Sequence, residues 1–130
     1  MFAMKEEYKL GIELIDNEHT QLFEIGEEVY QLLIDETILD KYDKIVAVIE
    51  KLKNYTKEHF KHEEEIMEKM GYKRLFTQKV QHDNFIRKFE EIDYDAIDHN
   101  QQEYMMELLT FIHDWLINHI IKQDLLIVQD

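Results

Sequence analysis

The chain has 130 residues with no proline, no cysteine and three glycines, and its 29 acidic against 15 basic residues give a formal charge of −14. That length supports one domain with a real core, and the lack of helix breakers suits long helices rather than a sheet with tight turns. The composition excludes disulfides, a thiolate metal site and a cysteine nucleophile. The acidity argues against nucleic acid or an anionic membrane as a partner of the bulk surface.

The apolar runs are only a few residues long, so no segment is expected to span a membrane. The start, Met1 to Glu7, lacks the charged-then-apolar plan of a secretory leader. The expectation is a soluble cytoplasmic protein with a single domain over residues 1–130.

Residues 1–15 show no helical period and read as an extended arm ending in Gly11-Ile12-Glu13-Leu14-Ile15. Asp16 is a suitable N-cap for a first helix over about 16–34. Its inward series is Ile15, His19, Leu22, Gly26, Val29 and Leu33, and Gly26 on that stripe predicts the close approach of a neighbouring helix. After a short connection, Asp40 is expected to cap a second helix over about 40–70, stopped by Gly71 in the left-handed conformation. The third helix is expected over about 74–91, with Leu75, Gln78, His82, Phe85 and Phe89 inward. Residues 92–99 break the period and read as a loop. The fourth helix, about 100–123, carries Met105, Leu108, Ile112, Trp115 and His119 on its seam, followed by Asp124 and a short apolar tail. Four helices with short connections pack most simply as an all-α, antiparallel up-down-up-down bundle with an N-terminal arm.

The second helix holds the informative stretch, His59-Phe60-Lys61-His62-Glu63-Glu64. Ile45, Leu52, His59 and Ile66 form one seven-residue series, and Ile49, Thr56, Glu63 and Met70 form the other, which are the two seams of a heptad. His59 and Glu63, four apart, share one face and occupy core slots. A buried carboxylate is costly unless it is paired or bound to a metal, and imidazole with carboxylate suits a divalent transition metal. His19, His59, His82 and His119 fall on the inward seams, one per helix, and alternating helix direction brings them to one level. Gln78 and His82 form another inward pair. His62 sits at the flank of the inward face, His99 in the loop and His113 off the seam. Asp124, five residues beyond His119, joins such a site only if the helix widens to a π-turn or ends there.

These motifs together resemble the hemerythrin family, in its bacterial single-domain form. The residues that carry the likeness are Gly11-Ile12, Ile15-Asp16-Asn17-Glu18-His19, His59-Phe60-Lys61-His62-Glu63-Glu64 with Met67, Gly71-Tyr72, His82 with Phe85, and Trp115-Leu116-Ile117-Asn118-His119-Ile120 with Asp124. The resemblance covers essentially the whole chain. It implies a non-haem site of two iron ions that binds O2 reversibly. By that likeness His19 and His59 would hold the iron that keeps an open position for O2. Gln78, His82 and His119 would stand around the other. Glu63 and Asp124 would bridge the two, together with an oxo or hydroxo group. Phe60, Trp115, Leu116 and Ile120 occupy positions that line the family's apolar O2 pocket. No catalytic residue and no protein partner is implied.

Three positions depart from the family pattern. Gln78 stands where the third helix usually has the first histidine of a His-x-x-x-His pair. Met4 replaces the arm's usual tryptophan, and Glu18 the usual glutamine before His19; both of these read as peripheral. For Gln78 three outcomes are open: its amide oxygen ligates, solvent takes the place, or that iron is often absent. Reversible O2 binding for storage, delivery or sensing is the first functional reading. The alternative is a di-iron redox enzyme that reduces O2 or peroxide through the position Gln78 leaves open. Iron holding without O2 chemistry, or a metal-poor interaction module, completes the set. A ferritin-like oxidase is disfavoured because the chain contains no Glu-x-x-His pair, and nucleophilic catalysis because it has neither cysteine nor serine.

Overall fold

The structure, a computed structural model, describes residues 1–129. Five α-helices form among them: α1 Glu13–Ile34, α2 Tyr42–Met70, α3 Leu75–Glu90, α4 Tyr94–His99 and α5 Gln101–Lys122. Two 3-10 turns, Glu6–Tyr8 and Asp124–Val128, flank them, and there is no strand among the described residues. No described helix is long and apolar enough to cross a membrane. The four long helices make an antiparallel bundle in which α1 packs on α2 and α5, and α2 on α3.

The inward stripes explain that packing. Ile15, Leu22, Val29 and Leu33 of α1 and Ile45, Ile49 and Leu52 of α2 are all at most 2% exposed. Each such side chain contributes about 1.5–3 kcal/mol by leaving water. Most buried apolar residues join one central cluster; a smaller one, Leu10, Ile15, Met67 and Ile127, ties the arm and the tail to one end of the bundle.

The helix limits differ from expectation in instructive ways. The first helix begins three residues early, at Glu13, with Ile12 at the cap position. Asp16 does not cap it. Its carboxylate instead accepts from the backbone N–H of Leu10 (2.8 Å) and Gly11 (3.0 Å), folding the arm back where Gly11 turns at φ 90°. Inside the first turn Glu13 and Asp16 still suit the positive end of the helix dipole. Asp40 precedes the second helix by two residues and accepts from Tyr42 N–H at 3.1 Å, leading the chain into the helix from outside. The second helix stops as expected, with Gly71 at φ 67° and Tyr72 N–H reaching back to the Met67 carbonyl at 2.9 Å.

Residues 92–99 are not a plain loop. Asp93 accepts from Ala96 N–H at 3.2 Å and starts the six-residue α4, held down by Ile97 at 0% exposure. Six residues are too few to show a period. Gly26 admits the arm, not another helix. A Cβ there would lie 2.7 Å from Phe2 Cδ1, because the Phe2 ring seats directly on the glycine. Glu27 fastens that seat, accepting from the N-terminal amine (3.0 Å) and from Phe2 N–H (2.9 Å).

Candidate metal centre

Helix direction decides what meets. His19 lies early in α1, His59 late in α2, His82 early in α3 and His119 late in α5, so the alternating bundle gathers them at one level. All four are at most 6% exposed, as are Glu63, Gln78 and Asp124. Asp124 arrives because α5 ends: the last helix residue is Lys122, Gln123 N–H closes on the His119 carbonyl at 2.8 Å, and Asp124 opens a 3-10 turn. The chain terminates the helix rather than widening it.

The two carboxylates divide their oxygens between two histidine pairs. Glu63 Oε2 lies 3.3 Å from His19 Nε2 and 3.1 Å from His59 Nε2, while its Oε1 lies 3.1 Å from His82 Nε2. Asp124 Oδ2 lies 3.2 Å from His19 Nε2 and its Oδ1 3.2 Å from His119 Nε2. The ligating atoms of His19, His59 and Glu63 fall within 4.8 Å of one another, and so do those of Glu63, His82, His119 and Asp124. Glu63 belongs to both groups.

These are not ordinary hydrogen bonds. Both Glu63 oxygens are buried without a hydrogen-bond partner despite three imidazole nitrogens at contact distance. His82 Nε2 and His119 Nε2 face each other at 3.2 Å. Nitrogen and oxygen donor atoms gathered this closely and this deeply buried are what a bound cation would use. Imidazole and carboxylate without thiolate match iron and comparable transition metals. The residues present therefore fit a metal.

The carboxylates favour the charged form of the imidazoles they face. Burial works against a charged His19, yet Asp124 and Glu63 overcome it and raise its pKa to about 9. Burial likewise opposes charge on His59, but Glu63 and Glu18 push it up; His82 is pushed up by Glu63 and Glu64 against the same penalty. Burial of Glu63 favours its neutral form, but His59, His19 and His82 hold it well below the usual carboxylate range.

Gln78 lies inside the cluster, 1% exposed. Its amide nitrogen donates to Asp124 Oδ1 at 3.1 Å, and its amide oxygen is buried without a partner. Phe60 stacks on the His82 ring (centroids 3.8 Å, 2°) and Trp115 on the His119 ring (4.5 Å, 10°). Leu116 and Ile120 are buried in the central core. A cavity of about 380 Å³ between α2 and α3 reaches Phe60, Glu64 and His82, and one of about 250 Å³ beside α5 reaches Trp115, His119 and Gln123. A groove of about 690 Å³ runs along the outer face of α5 and touches only Trp115 of these residues.

Two residues behind the cluster escaped the sequence reading. Glu18 is 8% exposed rather than peripheral, with Oε1 2.9 Å from His59 Nδ1 and Oε2 2.7 Å from His62 Nδ1. Burial raises its pKa, but those two histidines bring it below the ordinary value. Glu64 Oε2 stands 2.8 Å from His82 Nδ1. Their signal was adjacency, each following or preceding a seam residue by one. His62 thus serves Glu18 and not the cluster. His99 ends α4 with its Nδ1 on the Asp95 carbonyl, and the His113 ring meets that of Phe2 at right angles.

Fold and cluster define a helical-bundle protein built around a buried group of histidines and carboxylates that could hold cations. The chain belongs to the hemerythrin family: residues 10–129 match the hemerythrin HHE cation binding domain. It is 47% identical over 124 residues to the bacteriohemerythrin of Clostridium acetobutylicum, covering 95% of this chain and 96% of that one. It is also 33% identical over 120 residues to the bacteriohemerythrin of Pseudomonas paraeruginosa and 32% to that of Pseudomonas aeruginosa, covering 92% of this chain and 74% of each relative.

Proposed function

We propose that the chain holds two non-haem iron ions and binds O2 reversibly, for storage, delivery or sensing. The observation that carries the reading is the split of Glu63 and Asp124, each turning one oxygen to each histidine pair. His19 and His59 with Glu63 Oε2 and Asp124 Oδ2 would hold one ion. His82 and His119 with Glu63 Oε1 and Asp124 Oδ1 would hold the other. When bound, the iron pair supplies the electrons and the vacant position that O2 binding needs.

The chain's own residues do the rest. Bound cations would balance the carboxylates of Glu63 and Asp124 and so make the burial of two anions tolerable. Glu64 accepts from His82 Nδ1–H and so leaves Nε2 free to ligate. Phe60 and Trp115 cover the His82 and His119 rings, and with the buried Leu116 and Ile120 they would supply apolar surface that admits a neutral diatomic and limits water and proton access. The test is anaerobic iron loading followed by admission and removal of O2. Two iron per chain and a visible absorption that appears with O2 and disappears under argon are expected. One-way conversion to the ferric form on the first exposure would overturn reversible binding.

A second reading, a di-iron redox enzyme reducing O2 or peroxide, is favoured by one observation. Gln78 directs its amide nitrogen, which is no metal donor, at Asp124. Unless its buried, unpartnered amide oxygen ligates, the His82–His119 side would be one donor short and would have room for solvent or peroxide. Turnover of peroxide with an electron donor by the wild type, abolished in Gln78→His, supports this reading; equal rates in both remove it.

A further inference from the structure

Glu18 stands outside the candidate ligand set, yet it is the carboxylate that spans two histidines of the neighbouring helix. One oxygen takes His59 Nδ1 at 2.9 Å and the other takes His62 Nδ1 at 2.7 Å. The far nitrogen of His59, Nε2, faces Glu63 at 3.1 Å. An imidazole whose Nδ1–H donates to a carboxylate has its lone pair at Nε2 and is a stronger donor there. The opposite half of the site has a lesser version of this arrangement. Glu64 backs His82 at 2.8 Å, but its side chain is 24% exposed against 10% for Glu18. Glu64 touches no second histidine in the hydrogen bonds of the structure, whereas Glu18 is gripped from outside by His62, itself 36% exposed. A less solvated anion held at two points projects more field onto the ring it touches.

We propose that Glu18 is a positioning residue, clamped between His59 and His62, that fixes His59 with Nε2 toward the metal. Its charge makes the His19–His59 side the tighter of the two metal positions and the more readily oxidised. The inference rests on the reading that the cluster holds iron. The competing role is purely structural, a tie between α1 and α2. A glutamine tells them apart, because its oxygen still accepts from His59 and its nitrogen donates to His62, keeping the tie without the charge.

The experiment compares the wild type with Glu18→Gln, Glu18→Ala and Glu64→Ala by anaerobic iron(II) titration and by the midpoint potential of the loaded protein. Glu18→Ala is expected to weaken one of the two equivalents by about 10- to 100-fold, the usual consequence of losing a group behind a metal-bound histidine. Glu64→Ala is expected to weaken the other. Glu18→Gln keeps the tie without the charge and should weaken that same equivalent by several-fold and show a more positive midpoint potential, neither of which a mere tie between helices would produce. If Glu18→Gln keeps both the wild-type affinity and the wild-type potential, the proposal falls whatever happens to the melting temperature. Glu18→Gln is isosteric, so a failure of Glu18→Ala to fold leaves that comparison standing. A wild type that takes up no iron would overturn the proposed function and this inference with it, and the control shows it before any variant is made.

Discussion

Gly26→Ala tests whether the arm is part of the folded core. Alanine is favoured over glycine within a helix by about 1 kcal/mol, so on propensity alone the change stabilises α1. The structure gives the opposite sign. The new methyl would lie 2.7 to 2.9 Å from three atoms of the Phe2 ring, closer than a carbon pair tolerates. Phe2 is 6% exposed, and its backbone N–H and the N-terminal amine are fastened to Glu27, so the ring cannot slide along the helix and keep those bonds. Unseating a buried phenylalanine costs about 1.5–3 kcal/mol of burial. Net destabilisation of about 0.5–2 kcal/mol follows, or about 2–8 °C in melting temperature for a chain of this size. The assay is thermal unfolding of the metal-free protein, followed by circular dichroism, in a double-mutant cycle with Phe2→Ala. In the Phe2→Ala background the same Gly26→Ala change should stabilise by about 1 kcal/mol. A Gly26→Ala effect of the same sign and size in both backgrounds would refute the reasoning.

Removing metal should lower the melting temperature well beyond these effects, since a ligand at a thousand times its Kd stabilises by about 4 kcal/mol; equal melting of chelated and loaded protein would uncouple the site from the fold. In the metal-free protein the raised pKa of His19, about 9, means its contribution is complete below the unfolded value near 6.5 and lost as pH rises through about 9. Melting temperature should therefore fall across that window, while metal affinity rises, because uptake must displace the His19 proton. Titration calorimetry in buffers of different ionisation enthalpy would count it; no proton release at pH 7 would contradict the prediction. Gln78→His restores a donor to the His82–His119 side. The oxygenated absorption should convert to the ferric form more slowly in that variant, and equal lifetimes with equal iron content would make Gln78 a neutral replacement.

Much of the site was legible because heptad arithmetic is strict. A histidine on each inward seam, with Glu63 four residues from His59, could converge only if the helices alternate, and the short connections require that they do. Asp124 was legible only conditionally, since five residues do not repeat a helical face; the end of α5 at Lys122 supplies the missing rotation. Glu18 and Glu64 were hidden because residues one apart point about 100° away from each other. Whether the second of them reaches a neighbouring helix depends on interhelical distance, which periodicity does not contain. The same limit misplaced the partner of Gly26. A glycine on an inward stripe announces a close approach, but the sequence does not say whether a helix or an unstructured arm makes it. The first helix boundary failed for a different reason: Asp16 has the chemistry of a cap, and the Leu10 and Gly11 amides compete for the same two oxygens.

The attachment of Asp124 to the 3-10 tail has a kinetic consequence. His19, His59 and Glu63 sit on two helices joined by a short connection and can come together as soon as that hairpin forms. Asp124 lies almost the full length of the chain from His19, and it is held by Ile127, which packs on Leu10, Ile15 and Met67. Closing so long a loop is slow compared with pairing adjacent helices. His19, His59 and Glu63 can therefore gather before Asp124 arrives. Docking of the tail is the step that brings Asp124 to the buried histidines and Glu63. Pulse-labelled hydrogen exchange during refolding should find the amides around Ile127 protected later than those between His59 and Met67, and simultaneous protection would show that the centre closes in one event.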